Sequence, residues 1–164
     1  VLAKRELYKP RELSNVLWAF ASLGYRDEHP ACTARLFAEV GAIVIESMAQ
    51  YDAQSLSNVL WAYATLREDD PKLFSVAGDY AANLLESFKP QERANVLWSF
   101  RTLRFSHLTL TAAVCVAVVQ QGALNDWSGE QLLKLDQYLQ DFAPDTPAAW
   151  AATTALDERH FAEV

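Results

Sequence analysis

The stretch Asn15–Trp18, with the sequence Asn-Val-Leu-Trp, recurs at Asn58–Trp61 and again at Asn95–Trp98. The first and second copies are 43 residues apart and the second and third are 37 apart, which gives a period of about 40 residues. Self-similarity at a period of roughly 20 to 50 residues is typical of proteins in which one supersecondary motif stacks on the next. The period therefore predicts a repeat architecture.

The similarity extends well beyond these four residues. Residues 8–23 align without gaps with residues 51–66, sharing 10 of 16 positions, and with residues 88–103, sharing 9. A fourth, decayed copy begins near residue 127 and has Lys134 in the place of the repeated asparagine. The sequence thus contains about three and a half copies of one unit.

Each copy is predicted to begin with an amphipathic helix. Apolar residues of the first copy follow the i, i+3, i+4, i+7 spacing of one helix face: Leu13, Val16, Leu17 and Phe20. Pro10 and Pro90 suit the first helical position, where a missing N–H costs nothing, and Asp52 is a good N-cap for the second copy. Gly24 is expected to end the first helix, because glycine readily adopts the left-handed conformation found there.

A second helix is predicted to follow in each copy, over Pro30–Met48, Pro71–Phe88 and His107–Gln121. Proline again suits the first two of these starts. Two helices joined by a short turn and repeated every ~40 residues form an α-solenoid. We therefore predict an all-α fold: an α-solenoid of about 3.5 helix-turn-helix repeats over residues 1–142. Residues 143–164 are expected to form an acidic linker and a C-terminal helix that caps the stack.

The composition is that of a folded, soluble chain, with 51% hydrophobic and 21% charged residues. No stretch reaches the roughly 20 apolar residues that span a membrane, so we expect no membrane insertion. The net charge is −7, but it is unevenly distributed. Residues 1–121 carry 12 basic and 13 acidic residues, a balance of −1, whereas residues 122–164 carry 2 and 8, a balance of −6. The acidic segment therefore suits a basic protein partner.

The segment from Leu13 to Tyr25 reads Leu-Ser-Asn-Val-Leu-Trp-Ala-Phe-Ala-Ser-Leu-Gly-Tyr. It resembles the octotricopeptide repeat of algae and related protists, and its relatives in the FAST-kinase-like and RAP-domain proteins. The resemblance covers about residues 8–140. It implies an organellar protein, mitochondrial or alternatively plastid, that binds single-stranded or ribosomal RNA. Roles in that group include transcript stabilisation, processing, translation and membership of organellar ribosomes.

Two positions do not vary among the three clear copies. They are Asn15, Asn58 and Asn95, and Trp18, Trp61 and Trp98. At 100° per residue the asparagines lie on the face opposite the apolar one, and the tryptophans lie between this asparagine face and a neighbouring repeat. Amides beside indoles resemble a surface for single-stranded RNA. Positions that read different bases should vary between copies, however, so we expect these six residues to be structural.

Variable and positively charged positions are the better candidates for RNA contacts. The third copy has the densest positive patch, Lys89, Arg93, Arg101 and Arg104. The variable positions are Arg11, Gln54 and Gln91; Ser14, Ser57 and Ala94; Ala21, Ala64 and Arg101; and Gly24, Arg67 and Arg104. Arginine and lysine are the residues that contact phosphates. The alternative is a solvated helix face whose arginines pair with nearby acids such as Glu92.

No catalytic residue or cofactor is indicated. His29, His107 and His160 are scattered, with no cysteine or carboxylate at ligand spacing, so we expect surface or capping roles and no metal site. The five glycines are spread singly, so there is no phosphate-binding loop. Cys32 and Cys115 belong to no Cys-x-x-Cys pair and are expected to be buried as small apolar residues.

The sequence therefore favours an organellar RNA-binding helical-repeat protein rather than an enzyme. It would act in RNA processing, stability or translation, or within a ribonucleoprotein such as the mitochondrial ribosome. The alternative is a protein–protein interaction scaffold in a large complex, without direct RNA contact, which the net charge of −7 favours.

Overall fold

The computed structural model describes residues 8–24, 30–121, 124 and 126–162, and the regular structure of this part of the chain is helical, without strands. Eight α-helices occur there: α1 (Pro10–Ser22), α2 (Pro30–Glu46), α3 (Ala53–Leu66), α4 (Pro71–Asn83), α5 (Pro90–Thr102), α6 (Leu108–Gln121), α7 (Gly129–Phe142) and α8 (Pro147–Ala162). The predicted all-α class is confirmed.

The helices form two layers, each packed in chain order. The first helices of the repeats, α1, α3, α5 and α7, pack on one another, and the second helices, α2, α4, α6 and α8, do the same beside them. The helices of the first layer approach one another more closely than those of the second. Because closer spacing on one side bends a stack toward that side, we call the first set the inner layer and the second the outer layer. The arrangement is that of the predicted solenoid.

Small residues allow the close approach within the inner layer. Ser14, Ser57 and Ala94 occupy equivalent positions in successive repeats and are fully buried, so their prediction as positions that contact RNA was wrong. The Ser57 hydroxyl donates to the backbone carbonyl of Glu92, 3.1 Å away in the next repeat. A larger side chain at these positions would push neighbouring helices apart.

The helix starts follow the predicted signals. Pro10, Pro30, Pro71 and Pro90 are the first residues of α1, α2, α4 and α5. The Asp52 carboxylate accepts a hydrogen bond from the Ser55 backbone N–H at 2.7 Å, as an N-cap should. Gly24 lies just beyond α1 with φ of 62°, the left-handed conformation that was predicted.

Glycines of the outer layer make room for the helix starts of the next repeat. A Cβ on Gly41 would lie 2.8 Å from an Asp70 carboxylate oxygen, and one on Gly78 would lie 2.4 Å from the His107 ring. Asp70 and His107 are equivalent, since each accepts a hydrogen bond from the backbone N–H three residues later, at 2.9 and 3.3 Å. The imidazole of His107 thus has the capping role that was expected for a histidine.

A row of aromatic rings connects the repeats through the core. Phe37 and Tyr63 have ring centroids 4.8 Å apart, and Tyr63 and Phe74 lie 6.5 Å apart. Phe74 then meets Phe100 edge to face at 5.0 Å. The buried Tyr63 hydroxyl donates to the Phe37 carbonyl oxygen at 2.6 Å, which satisfies a polar group that would otherwise be costly to bury.

Two of the three second helices are shorter than predicted, whereas α6 ends at Gln121 as expected. α2 ends at Glu46 and α4 at Asn83, and each is followed by a single 3-10 turn, Met48–Gln50 and Leu85–Ser87. These turns bury Met48 and Leu85 and leave the two residues after each one exposed. The chain therefore turns toward the next repeat earlier than the apolar pattern suggested.

One further finding differs from the sequence-based expectations. Cys32 is exposed, because it lies on the outward side of α2, whereas Cys115 is partly buried. The last helix, α8, packs against α6 and α7, so it occupies the outer-layer position of the fourth repeat. The exposed Asp157 and Glu158 of α8 thus lie at one end of the stack in the outer layer, whereas Glu130, Asp136 and Asp141 of the same acidic segment lie on the inner-layer helix α7.

Candidate functional site

The solvent-facing side of the inner layer carries the side chains that were predicted to lie opposite the apolar face. Arg11 and Asn15 are exposed on α1, whereas Leu13 and Leu17 are buried on its other side. Gln54 and Gln91, equivalent to Arg11, are likewise exposed on α3 and α5. Side chains from successive repeats therefore form rows along one surface.

The tryptophan row follows this surface. The Trp18 and Trp61 rings lie 6.4 Å apart across the seam between the first two repeats, inclined by 32°. Trp18 is 48% exposed, and Trp61 and Trp98 are partly exposed. The indoles thus join adjacent repeats while leaving part of each ring accessible to solvent.

Amides form a bridge between the third and fourth repeats. The Gln91 Nε2 donates to the Asn95 Oδ1 at 2.9 Å, and the Gln131 Nε2 donates to the Gln91 Oε1 at 3.0 Å. This network links α5 to α7 and gives Asn95 and Gln91 a role within the fold. Asn58, equivalent to Asn95, is partly exposed on α3.

A cleft of about 710 Å³ opens where the inner-layer helices end. The lining residues lie at or near the C-terminal ends of α3, α5 and α7, the first helices of three successive repeats. They are Arg67, Trp98, Arg101, Thr102, Arg104, Asp141 and Phe142. Three arginines and one carboxylate leave a formal charge of +2 on these walls. In a chain of net charge −7, this cleft is a concentration of positive charge beside an aromatic ring.

Two of the cleft arginines have a backbone conformation that favours glycine. Arg67 has φ of 54° and Arg104 has φ of 55°, and both are equivalent to Gly24, at 62°. Each follows the end of an inner-layer helix, where a left-handed residue closes the last turn. An L-residue other than glycine is disfavoured in this conformation by roughly 1 kcal/mol. Since glycine occurs here in the first repeat, the two arginines are not required by the fold.

The cleft arginines also contact neighbouring repeats. The Arg101 Nε lies 2.7 Å from the Asp141 Oδ2, which connects α5 with α7. The Arg67 guanidinium donates to the Thr102 carbonyl oxygen, with a long separation of 3.5 Å. Arg67 and Arg104 are exposed and Arg101 is partly exposed, so all three guanidinium groups are accessible from solvent.

Arg93 is separated from this group, and its inclusion in one positive patch with Arg101 and Arg104 was wrong. It occupies the position of the buried Leu13, Leu56 and Leu132 of the other repeats, and its side chain is partly buried. Its guanidinium lies 5.6 Å from the centre of the Trp127 ring and donates to the Phe88 carbonyl oxygen at 3.3 Å. Desolvation by burial lowers the pKa of Arg93.

Lys89 is also far from the cleft. Its backbone N–H donates to a Glu92 carboxylate oxygen at 2.9 Å, at the beginning of α5. Arg101 lies at the other end of this helix, about 18 Å away at 1.5 Å per residue. The candidate residues therefore divide into a group at the helix starts, with Arg11, Gln54, Gln91 and Lys89, and the cleft at the helix ends.

The contributions of Asp141 and Phe142 were not recognised in the sequence. Both come from the decayed fourth repeat, which has lost the Asn-Val-Leu-Trp string. The signal that could have revealed Asp141 is its register, because residue 141 is equivalent to Thr102 once the fourth repeat is aligned from residue 127.

Among the described residues, no group of three or more His, Cys, Asp or Glu side chains could hold a metal ion. His29 lies outside the described residues, as does the side chain of His160. Over the same part of the chain, no helix has both the length and the apolar character needed to span a bilayer.

No model of a known protein family matches the chain, and no curated protein matches it significantly.

Proposed function

We propose that this chain is an organellar RNA-binding helical-repeat protein that holds single-stranded RNA along its inner layer. The observation that supports this most is the cleft at the helix ends, where Arg67, Arg101 and Arg104 lie beside Trp98. Guanidinium groups bind phosphates, and an accessible indole offers a base a stacking surface. The cleft therefore combines both kinds of group that sequence-tolerant recognition of a single strand needs.

The two left-handed arginines add an independent argument. At a position with positive φ, an arginine is less stable than a glycine. Its presence there is therefore better explained by a function of the side chain than by the backbone conformation. Arg67 and Arg104 both direct charge to one cleft from equivalent positions in adjacent repeats. Phosphate binding is the function that these two positions suit best.

The organelle and the process are inferred from the resemblance of the repeated sequence to the octotricopeptide repeat. The protein would act in a mitochondrion, or alternatively a plastid, in RNA processing, stability or translation, or within a ribonucleoprotein such as the mitochondrial ribosome. Crosslinking of the tagged protein in its native cells, followed by sequencing of bound RNA, tests this part. Recovery of nuclear-encoded cytosolic messages alone would contradict the organellar assignment.

Direct binding is tested by fluorescence anisotropy with a labelled single-stranded oligouridylate of about ten nucleotides at low salt. We expect the double variant R67Q/R104Q to bind about tenfold more weakly, because two phosphate contacts are removed. The slope of log K against log salt should also fall by about 1.4, since each phosphate contact on a single strand contributes about 0.7.

A matched control is available on the other layer. R35Q/K72Q removes the same charge from exposed positions on α2 and α4, and should leave the affinity nearly unchanged. Equal losses in the two double variants would show that net charge alone governs binding. Absence of RNA binding by the unmodified protein would refute direct recognition and favour the protein–protein scaffold.

A further inference from the structure

The outward side of α6 carries an apolar stripe exposed to solvent. Leu108, Val116 and Val119 are 85%, 51% and 56% exposed, and the exposed Ala112 lies between the first two on the same side. These positions are spaced i, i+4, i+8 and i+11, so they lie along one helix face. We call them the α6 stripe. An exposed apolar face of this length on a soluble helix is typical of a contact surface.

The residues near the stripe in sequence are uncharged, but charged residues lie near it in the folded structure. Residues 105–125 contain no Asp, Glu, Lys or Arg. The neighbouring helix α4 presents an exposed Asp79, and the 3-10 turn after it presents an exposed Glu86. On the other side, α8 carries exposed Asp157 and Glu158. The apolar stripe thus has acidic residues on both neighbouring segments.

A groove borders the stripe on the α4 side. It has a volume of about 440 Å³, and its walls include Leu85 and Glu86 from the turn after α4 and Ala113, Val116 and Ala117 from α6. Asn83 and Ser87 also line the groove, and the small side chains of Ala113 and Ala117 leave room for an apolar side chain from another molecule. Apolar contact and negative charge are therefore combined in one surface.

We propose that the α6 stripe and its groove bind an amphipathic helix of a partner protein, with basic residues flanking its apolar face. Such a helix places aliphatic side chains at i, i+3, i+4 and i+7 against the stripe. Its lysines or arginines then lie near Glu86 and Asp79 on one side and the acidic end of α8 on the other. This site lies on the outer layer and is independent of the proposed RNA surface on the inner layer.

The acidic residues beside the α6 stripe argue against other molecules as its binding partner. Two copies of this chain that met through their stripes would form a symmetric contact and bring the acidic residues that flank both stripes close to one another. A membrane surface rich in anionic lipid and a nucleic acid are both repelled by the same carboxylates. A basic partner is the occupant that matches both the apolar and the acidic features.

A synthetic peptide provides the probe. It contains only leucine and lysine over about 14 residues, with leucines on one face, and its counterpart has glutamate in place of lysine. We expect the Leu/Lys peptide, labelled and monitored by fluorescence anisotropy, to bind at least tenfold more tightly than the Leu/Glu peptide. Its binding should weaken as salt is raised, because the flanking carboxylates are exposed.

Variants then locate the contact. The V116Q/V119Q variant keeps residues that favour a helix, and it should bind the Leu/Lys peptide about tenfold more weakly. The D79N/E86Q variant should bind this peptide about threefold more weakly, and its affinity should depend less on salt. L133Q is a matched control, since Leu133 is an exposed leucine on the inner-layer helix α7. Its affinity for the peptide should remain within twofold of the unmodified protein.

Three results would overturn the proposal. They are equal affinity for the two peptides, equal losses in V116Q/V119Q and L133Q, and a concentration-dependent dimer that V116Q/V119Q abolishes. Circular dichroism and the melting temperature of each variant establish that it is folded. Oligouridylate affinity should be the same in V116Q/V119Q and the unmodified protein, so failure of this proposal is distinguishable from failure of RNA binding.

Discussion

The Arg101 guanidinium and the Asp141 carboxylate form an ion pair, 2.7 Å between Nε and Oδ2, across the cleft at the inner-layer helix ends. The two residues belong to adjacent repeats, and both side chains remain partly accessible, at 35% and 48%. The carboxylate offsets the charge of the guanidinium that a phosphate oxygen would bind. Asp141 is therefore a competitor for any anion that enters the cleft.

Removing this carboxylate should increase RNA affinity. We expect D141N to bind oligouridylate about three- to fivefold more tightly, because Arg101 is released and the cleft gains one unit of positive charge. The free energy of unfolding should change by less than about 1 kcal/mol, as is usual for an exposed ion pair. D145N, which neutralises an exposed carboxylate between α7 and α8, is the control. Equal gains in the two variants would mean that the ion pair has no specific role.

Replacing Arg67 or Arg104, which have positive φ, with glycine should increase stability and weaken RNA binding. R67G and R104G are each expected to raise the free energy of unfolding by roughly 0.5–1 kcal/mol, because glycine adopts positive φ without a steric penalty. Each should weaken oligouridylate binding about threefold. G24A places an L-residue at the equivalent position of the first repeat and should cost about 1 kcal/mol. Urea denaturation and anisotropy measure the two effects, and a loss of stability in R104G would refute this account.

Arg93 should contribute little to RNA affinity. R93L restores the leucine found at the same position in the other three repeats, and it removes a cation whose burial lowers its pKa. We expect oligouridylate affinity to remain within twofold and the free energy of unfolding to rise by about 1 kcal/mol, despite the loss of the Trp127 contact. A loss of affinity as large as that of R67Q/R104Q would instead show that Arg93 reaches the RNA.

The contact between Gly78 and His107 should make the outer layer sensitive to a single methyl group. G78A would place its Cβ 2.4 Å from the imidazole, so the His107 ring must leave its capping position or α4 and the start of α6 must separate. We expect a loss of about 1–3 kcal/mol in the free energy of unfolding. In G129A the new Cβ has no neighbour within 4 Å, and the change should be neutral or slightly stabilising. Equal effects of the two substitutions in thermal denaturation would contradict the packing described.

Stability should fall as the solution becomes strongly alkaline. Burial raises the pKa of Tyr138 from 10.0 to about 12, with its hydroxyl 2.8 Å from that of Thr111. The unfolded chain loses this proton near pH 10 and the folded chain only near pH 12. The stabilisation is therefore complete below pH 10 and is lost between pH 10 and 12. Burial raises the pKa of Tyr63 in the same direction.

The variant Y138F isolates the contribution of Tyr138. At pH 8 it should be about 1 kcal/mol less stable than the unmodified protein, because the hydrogen bond with Thr111 is lost. At pH 11 this difference should nearly vanish. One pH unit above the unfolded pKa, the ionisation of Tyr138 in the unfolded chain lowers the stability of the unmodified protein by about 1.4 kcal/mol. A constant difference at the two pH values, measured by urea denaturation, would show that Tyr138 does not titrate as described.

Much of the architecture was predictable because it depends on local signals. The spacing of Leu13, Leu17 and their apolar neighbours determined which side of α1 is buried, and proline determined four helix starts. Trp18 was placed between the exposed face and the next repeat, where it meets Trp61. The candidate site was less predictable, because Arg93 and Arg101 look alike in sequence and face different surroundings.

The sequence by itself determined the repeat period, the helix pairs and the side of each inner-layer helix that faces solvent, because these follow from residue spacing along one chain. Only the tertiary structure decided which distant side chains meet. It brought Arg67, Arg104 and Asp141 to one cleft, packed Arg93 against Trp127, and placed acidic residues beside the α6 stripe. Those outcomes depend on how the layers curve and how helices pack across repeats, which no periodicity within a single repeat specifies.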